Sequence, residues 1–172
     1  MIERYTLPEM GKIWSENSKF QSWLDVELAA CQANFELGKI KKEDLDQIQT
    51  KSKFNVERIK EIEQEVKHDV IAFLTNLNEY VGDAGRFIHV GMTSSDILDT
   101  GLSLQLRESC NLLINEIEEL ENSIRNLASQ HKDTLMIGRS HAIHGEPISF
   151  GFKLAGWLAE VIRDKKRLKD LK

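Results

Sequence analysis

Proline is nearly missing from this chain: there are two in 172 residues, Pro8 and Pro147. Glycine is also sparse, ten in all, and it clusters near 82–91, 138–145 and 151–156 instead of spreading evenly. So few breakers cannot supply the turns that many short strands need, and long helices are expected. The two cysteines, Cys31 and Cys110, have no CxxC or Cys/His grouping, which argues against a disulfide framework; each reads as a packed thiol on the apolar face of a helix. No histidines, cysteines or paired carboxylates stand at ligand spacing, so neither a metal nor another cofactor is expected. Cationic excess is lacking as well, with 23 Lys and Arg against 28 Asp and Glu, a formal charge of −5. That balance argues against nucleic acid or an anionic membrane surface as a partner. No run approaches the ~18 consecutive apolar residues of a membrane span, and residues 1–30 lack the basic and apolar segments of an export signal. A soluble, cytoplasmic chain is the expectation.

What is present is helical periodicity on a 41% apolar composition. After an irregular arm and a short helix with Pro8 in its first turn, Ser18 and Gln21 have the form of a capping box. Phe20, Trp23, Leu24, Leu28, Cys31 and Phe35 then recur at helical spacing up to Gly38. Two amphipathic helices are expected near 41–51 and 55–66, and a third, capped by Asp69, running to about Val81. From about Ser95 to Gln130 one long helix carries Leu102, Leu106, Cys110, Leu113, Ile117, Leu120, Ile124 and Leu127 at alternating spacings of four and three, the seam of a bundle. At ~1.5 Å per residue it spans roughly 50 Å, so its seam calls for partner helices. A last helix is expected from Glu146-Pro147, apolar on nearly every side from Ile148 to Ile162, with Gly151, Ala155 and Ala159 as a small-residue stripe. The periodicity reaches Lys172 without a stop signal, which reads as an amino-terminal piece of something longer.

Two polar segments bearing histidine interrupt these helices: His89-Val90-Gly91-Met92-Thr93-Ser94-Ser95-Asp96, and Gly138-Arg139-Ser140-His141-Ala142-Ile143-His144-Gly145-Glu146-Pro147. An imidazole holds and releases a proton near neutrality, so His141 is either a general acid or a turn histidine bonded to backbone. Thr93 and Ser94 open the long helix, where free N–H groups and hydroxyls suit a carboxylate, although plain N-capping is the same arrangement with water in the ligand's place. His68-Asp69 is either a capping pair or a ligand contact. Arg4-Tyr5 could fork onto phosphate and lie against a base or ribose, or could simply be an ordinary surface pair. His131 and the run 163–169 read as structural.

These two segments, together with Arg4-Tyr5 and Lys67-His68-Asp69, resemble the adenylosuccinate lyase branch of the fumarase/aspartase superfamily, in order along the whole chain. Ser140 stands where related lyases carry threonine, which keeps the hydroxyl. The superfamily's mobile Ser-Ser-x-Met-Pro-x-Lys-x-Asn-Pro loop, which bears the catalytic base, does not occur in these residues. The resemblance implies an all-α fold: an amino-terminal helical domain over 1–92, then the first part of a central long-helix bundle over 93–172. It also implies β-elimination of fumarate from succinyl nucleotides in a homotetramer, with the piece inactive alone. His141 and His68 would be catalytic, and Arg4, Tyr5, Lys67, His68, Asp69, His89, Thr93, Ser94 and Ser140 would bind substrate. The alternatives are another superfamily lyase, a carboxymuconate-type cycloisomerase, or a non-catalytic helical oligomerisation module.

Overall fold

The structure is a computed structural model that describes residues 2–172. As the scarcity of breakers implies, helices dominate: α1 (Pro8–Ile13), α2 (Glu16–Glu36), α3 (Lys42–Lys51), α4 (Val56–Val66), α5 (Asp69–Val81), α6 (Ser94–Gln130) and α7 (Phe150–Leu171). Short 3₁₀ segments lie at Glu3–Tyr5 and Gly82–Phe87. A two-stranded antiparallel hairpin, β1 (Leu135–Ser140) and β2 (Ile143–Ser149), stands between the last two helices. The residues fall into two compact units, Met1–Leu106 and Arg107–Lys172, and α6 runs from one into the other.

In the first unit, α2 supplies Phe20, Trp23 and Leu24 to a core completed by Ile59 and Ile62 of α4, Val70, Phe73 and Leu77 of α5, and Ile97 of α6. Aromatic rings hold its centre. Phe20 stacks on Phe73 at 5.7 Å between centroids, and Trp23 meets both rings edge-on at 5.2 and 5.5 Å. Each such pair adds ~0.5–1.5 kcal/mol beyond the area it buries. A second cluster joins Cys31 of α2 to Leu45 and Ile48 of α3 and to Val81 and Ala84. Arg58 of α4 forks onto Glu79 of α5 at 2.7 and 3.0 Å, and Asn76 accepts the backbone N–H of Asn55 at 2.9 Å.

In the first unit the helix caps depart from the sequence expectation in two places. The cap of α2 is Ser15, whose Oγ accepts the N–H of Ser18 at 3.1 Å, while the Ser18 hydroxyl donates back to the Lys12 carbonyl at 2.6 Å. Only Ser18 has the box pattern, but either serine can cap, and the earlier one begins the helix. The cap of α5 is His68 rather than Asp69. Lys67 adopts a left-handed conformation (φ 53°) that closes α4, and His68 is then extended, with its ring facing the first turn of α5. Asp69 becomes the first helical residue, and its carboxylate accepts the N–H of Val70 at 2.8 Å, a favourable place for negative charge.

In the second unit the hairpin replaces the beginning expected for the last helix. Pro147 pairs with Ile137 inside β2, and the residue before a proline avoids helical geometry. Helix α7 starts only at Phe150, where Ser149 Oγ accepts the N–H of Phe152 at 3.1 Å. Gly151 and Leu154 are the buried residues of α7, and Glu121 of α6 bonds to Lys165 of α7. All-round burial of α7 is not met within this chain: Phe152 is 71% and Trp157 49% exposed. On α6, Leu106, Leu113, Leu120 and Leu127, each seven residues from the next, also remain exposed.

Candidate active site

The site candidates of the first unit gather at helix ends. Arg4 lies over the ring of exposed Tyr5, with its guanidinium carbon 4.8 Å from the centroid. Lys67, His68 and Asp69 share the α4–α5 junction. His68 Nδ1 accepts the Ile71 N–H at 3.4 Å and lies 3.5 Å from an Asp69 oxygen, both long contacts that hold the ring loosely in place. With Nδ1 turned to the helix start, Nε2 of the exposed ring is the nitrogen left for a ligand. The segment after the 3₁₀ turn packs Ile88 and Met92 on the same core cluster that holds Val70 of α5, so the α5 start and the 88–92 segment rest on one foundation.

His89 lies in that segment with φ 68°, a left-handed conformation that costs an ordinary residue ~1–2 kcal/mol. Its backbone N–H donates to Glu27 Oε2 at 3.0 Å, and its Nδ1 lies 2.6 Å from Glu27 Oε1. Glu27 is 1% exposed, in the apolar row of α2 between Leu24 and Cys31. Burial raises its carboxyl above the ordinary range, and the contacts with His89 pull the other way. The same burial, with the neighbouring Glu27 charge, pushes the Cys31 thiol up to about 11.

Thr93 and Ser94 open α6. The Thr93 N–H donates to Asp96 Oδ2 at 2.8 Å while the Asp96 N–H donates to the Thr93 carbonyl, a closed box that fixes the helix start. Neither the Thr93 nor the Ser94 hydroxyl makes a hydrogen bond among the described residues, so both are free to meet a ligand.

In the second unit Ser140 and His141 occupy the hairpin tip. Ser140 pairs with Ile143 across a two-residue turn in which His141 (φ 55°) and Ala142 (φ 61°) are both left-handed, the type I′ pattern usually filled by Asn-Gly. Holding two non-glycine residues there costs on the order of 1 kcal/mol each, and strain of this kind concentrates where a side chain must be aimed. His141 is exposed and makes no hydrogen bond among the described residues. His144 lies one strand residue back, its Nε2 3.5 Å from Arg139. Gly138 sits at the register shift of β1, where a Cβ would come 2.9 Å from the Glu146 carbonyl oxygen, so a side chain there would spread the strands.

A concavity of about 410 Å³ in the first unit is lined by Trp14, Lys19, Trp23, Asp99, Leu102 and Gln105 among others, and contains none of these candidates.

The family model described as lyase matches residues 3–172. The chain belongs to this lyase family. Among relatives of this chain, the adenylosuccinate lyase of a Synechocystis species is 63% identical over 98% of the chain and 39% of its own length. The adenylosuccinate lyase of Aquifex aeolicus is 50% identical over 98% of the chain and 39% of its own length. Among solved structures, the 3-carboxy-cis,cis-muconate lactonizing enzyme of Pseudomonas putida superposes with a TM-score of 0.89 at 29% identity, over 98% of the chain and 40% of that protein. The chain thus spans about 39% of the length of the curated relatives it matches.

One residue beside the candidate site is not singled out by motif reading. Glu27 holds His89 by two contacts, and its signal in the sequence is a carboxylate standing where the helical rhythm of Phe20, Trp23, Leu24 and Cys31 asks for an apolar side chain.

Proposed function

We propose that this chain is the amino-terminal portion of an adenylosuccinate lyase, which eliminates fumarate from adenylosuccinate to give AMP and from succinyl-aminoimidazole carboxamide ribotide to give the free amine. What carries the reading is the 63% identity with the Synechocystis adenylosuccinate lyase over 98% of the chain. A base removes a proton from the succinyl carbon next to the one bearing nitrogen, the electron pair forms the carbon–carbon double bond, and the C–N bond breaks. The departing nitrogen takes a proton from His141, a step worth ~10²–10⁴-fold in rate. Aimed from a strained two-residue tip and free of protein partners, His141 suits that role. His68 contacts the substrate and orients the acid. Thr93 and Ser94, at the positive end of α6, hold a succinyl carboxylate, and Ser140 adds a hydroxyl beside the acid. His89 and Arg4 meet the phosphate, Tyr5 the nucleoside, and Lys67 and Asp69 complete the same loop.

The base lies outside these residues, so the isolated chain is inactive in this reading. The exposed leucines of α6 at heptad spacing and exposed Phe152 and Trp157 of α7 favour assembly of the full-length protein as a homotetramer around a shared helical bundle. Residues 1–92 form its amino-terminal domain and 93–172 the beginning of the bundle domain, in a cytoplasmic enzyme. The test is ultraviolet absorbance of the full-length protein with adenylosuccinate: wild type releases fumarate, and His141→Ala loses at least about 100-fold while remaining assembled. A fully active His141→Ala protein, or a wild type that turns over only a carboxymuconate, overturns the reading.

A further inference from the structure

We infer that Glu27 is a positioning residue of this lyase, whose buried carboxylate holds the main chain and the imidazole of His89 together so that Nε2 is presented to the substrate. The inference rests on the lyase reading above for the role of His89. It also rests on three observations that are independent of that reading. A carboxylate with 1% of its surface exposed lies in an otherwise apolar helix row, where a leucine or methionine would pack without desolvation cost. Its two oxygens divide between the main chain and the ring of one residue 62 positions away, Oε2 taking the backbone N–H at 3.0 Å and Oε1 meeting Nδ1 at 2.6 Å. That residue has a left-handed backbone (φ 68°) that only surrounding contacts can maintain.

The geometry explains why a carboxylate is needed at this position. An ionised carboxylate only accepts, so it satisfies the main-chain N–H and an Nδ1–H at once. With Nδ1 so engaged, the ring cannot rotate without breaking a charge-assisted bond, and Nε2 is the one nitrogen left to meet a ligand. His89 is 19% exposed at its side chain, enough for that one edge. A glutamine of the same shape keeps an acceptor for the N–H but turns an N–H₂ donor toward Nδ1. The ring must then change tautomer or swing away, and in either case Nε2 no longer meets the substrate in the same state. Glu27 itself, sealed in the helix row, acts only through His89.

The experiment is steady-state kinetics of the full-length protein with adenylosuccinate for wild type, Glu27→Gln, His89→Ala and the double variant, each checked for assembly and helical content. Loss of one charge-assisted contact is expected to raise KM by about 10-fold or more, with kcat held within about threefold. In the His89→Ala background Glu27→Gln is expected to add less than about twofold, because there is no longer a ring to position. A purely structural carboxylate would lower stability in both backgrounds and leave KM unmoved. An assembled Glu27→Gln protein with unchanged KM overturns the assignment, as does an undiminished effect in the His89→Ala background. If Glu27→Gln does not assemble, Glu27→Asp serves instead: it keeps the charge and shortens the reach by one methylene, and a raised KM supports the assignment while an unchanged KM overturns it. Wild-type turnover separates the two levels of failure. A wild type that releases no fumarate sinks the lyase reading and this role with it, whereas an active wild type with an indifferent Glu27→Gln variant sinks this role alone.

Discussion

Two glycines five residues apart, Gly151 and Gly156 in the first half of α7, should respond to alanine with opposite signs. Helix propensity alone says that either replacement stabilises, by ~0.5–1 kcal/mol. At 156 nothing lies within 4 Å of where a Cβ would stand, so that gain should be realised. At 151 the new Cβ would collide with the Ala128 carbonyl oxygen and come 2.7 and 2.8 Å from the Lys132 Cα and N, all main-chain atoms that no rotamer change can move aside. If α7 stays in place, overpacking costs up to ~3 kcal/mol. If it backs away, the bonds from Gly151 N–H to His131 O (2.9 Å) and from Phe150 N–H to Thr134 O (2.8 Å) lengthen, at ~0.5–1.5 kcal/mol each. Setting either cost against the propensity gain leaves Gly151→Ala less stable by ~1–2 kcal/mol. Urea unfolding of this chain, followed by far-ultraviolet circular dichroism at matched concentration, reads both variants. A Gly151→Ala protein as stable as wild type would refute the close approach of α7 to the end of α6.

Phe73, fully buried and touching Phe20, Trp23 and Phe54, should cost ~3–5 kcal/mol on replacement by alanine; a loss below about 1 kcal/mol in the same unfolding assay would mean that the aromatic cluster is not packed as described. Glu79 has its carboxyl held below the ordinary range by Arg58 and then by Asn76. Its contribution is therefore fully present above the unfolded carboxyl value of ~4.3 and is lost as pH falls through the lower folded value. Glu79→Gln should be less stable than wild type at neutral pH and converge with it in acid, and an equal gap at both would contradict the Arg58 pairing.

How much of the molecule can be read from its sequence varies with the physics at each place. Helices α3 and α4 begin within one residue of the expected positions, because their apolar residues recur on one stripe between polar flanks. Helix α6 begins at Ser94, one residue from expectation, and its seam is plain. The hairpin is hidden. Its strands offer little alternation, and its turn carries His-Ala where Asn-Gly would announce a type I′ geometry. The start of α7 is misplaced for the same reason, since Glu146-Pro147 resembles a helix opening and proves to be strand. At the candidate site the motif residues stand out by type, but Glu27 does not, because a glutamate on a helix is ordinarily a solvent-facing residue and only its place in the apolar row gives it away. The capping exchange at His68 is invisible to propensity as well, since aspartate is the better capper and only the left-handed Lys67 decides between them.

Left-handed backbone at Lys67, His89 and His141 has a consequence for anyone who alters this protein. Glycine would suit the main chain better at each of the three; at His89 the loss of the ring from buried Glu27 would show as lower stability, but at Lys67 and His141 a search guided by thermal resistance alone would favour glycine and delete a lysine and an imidazole without a warning from the melting curve. A library for hardening the molecule should hold these three codons fixed and seek its gains elsewhere.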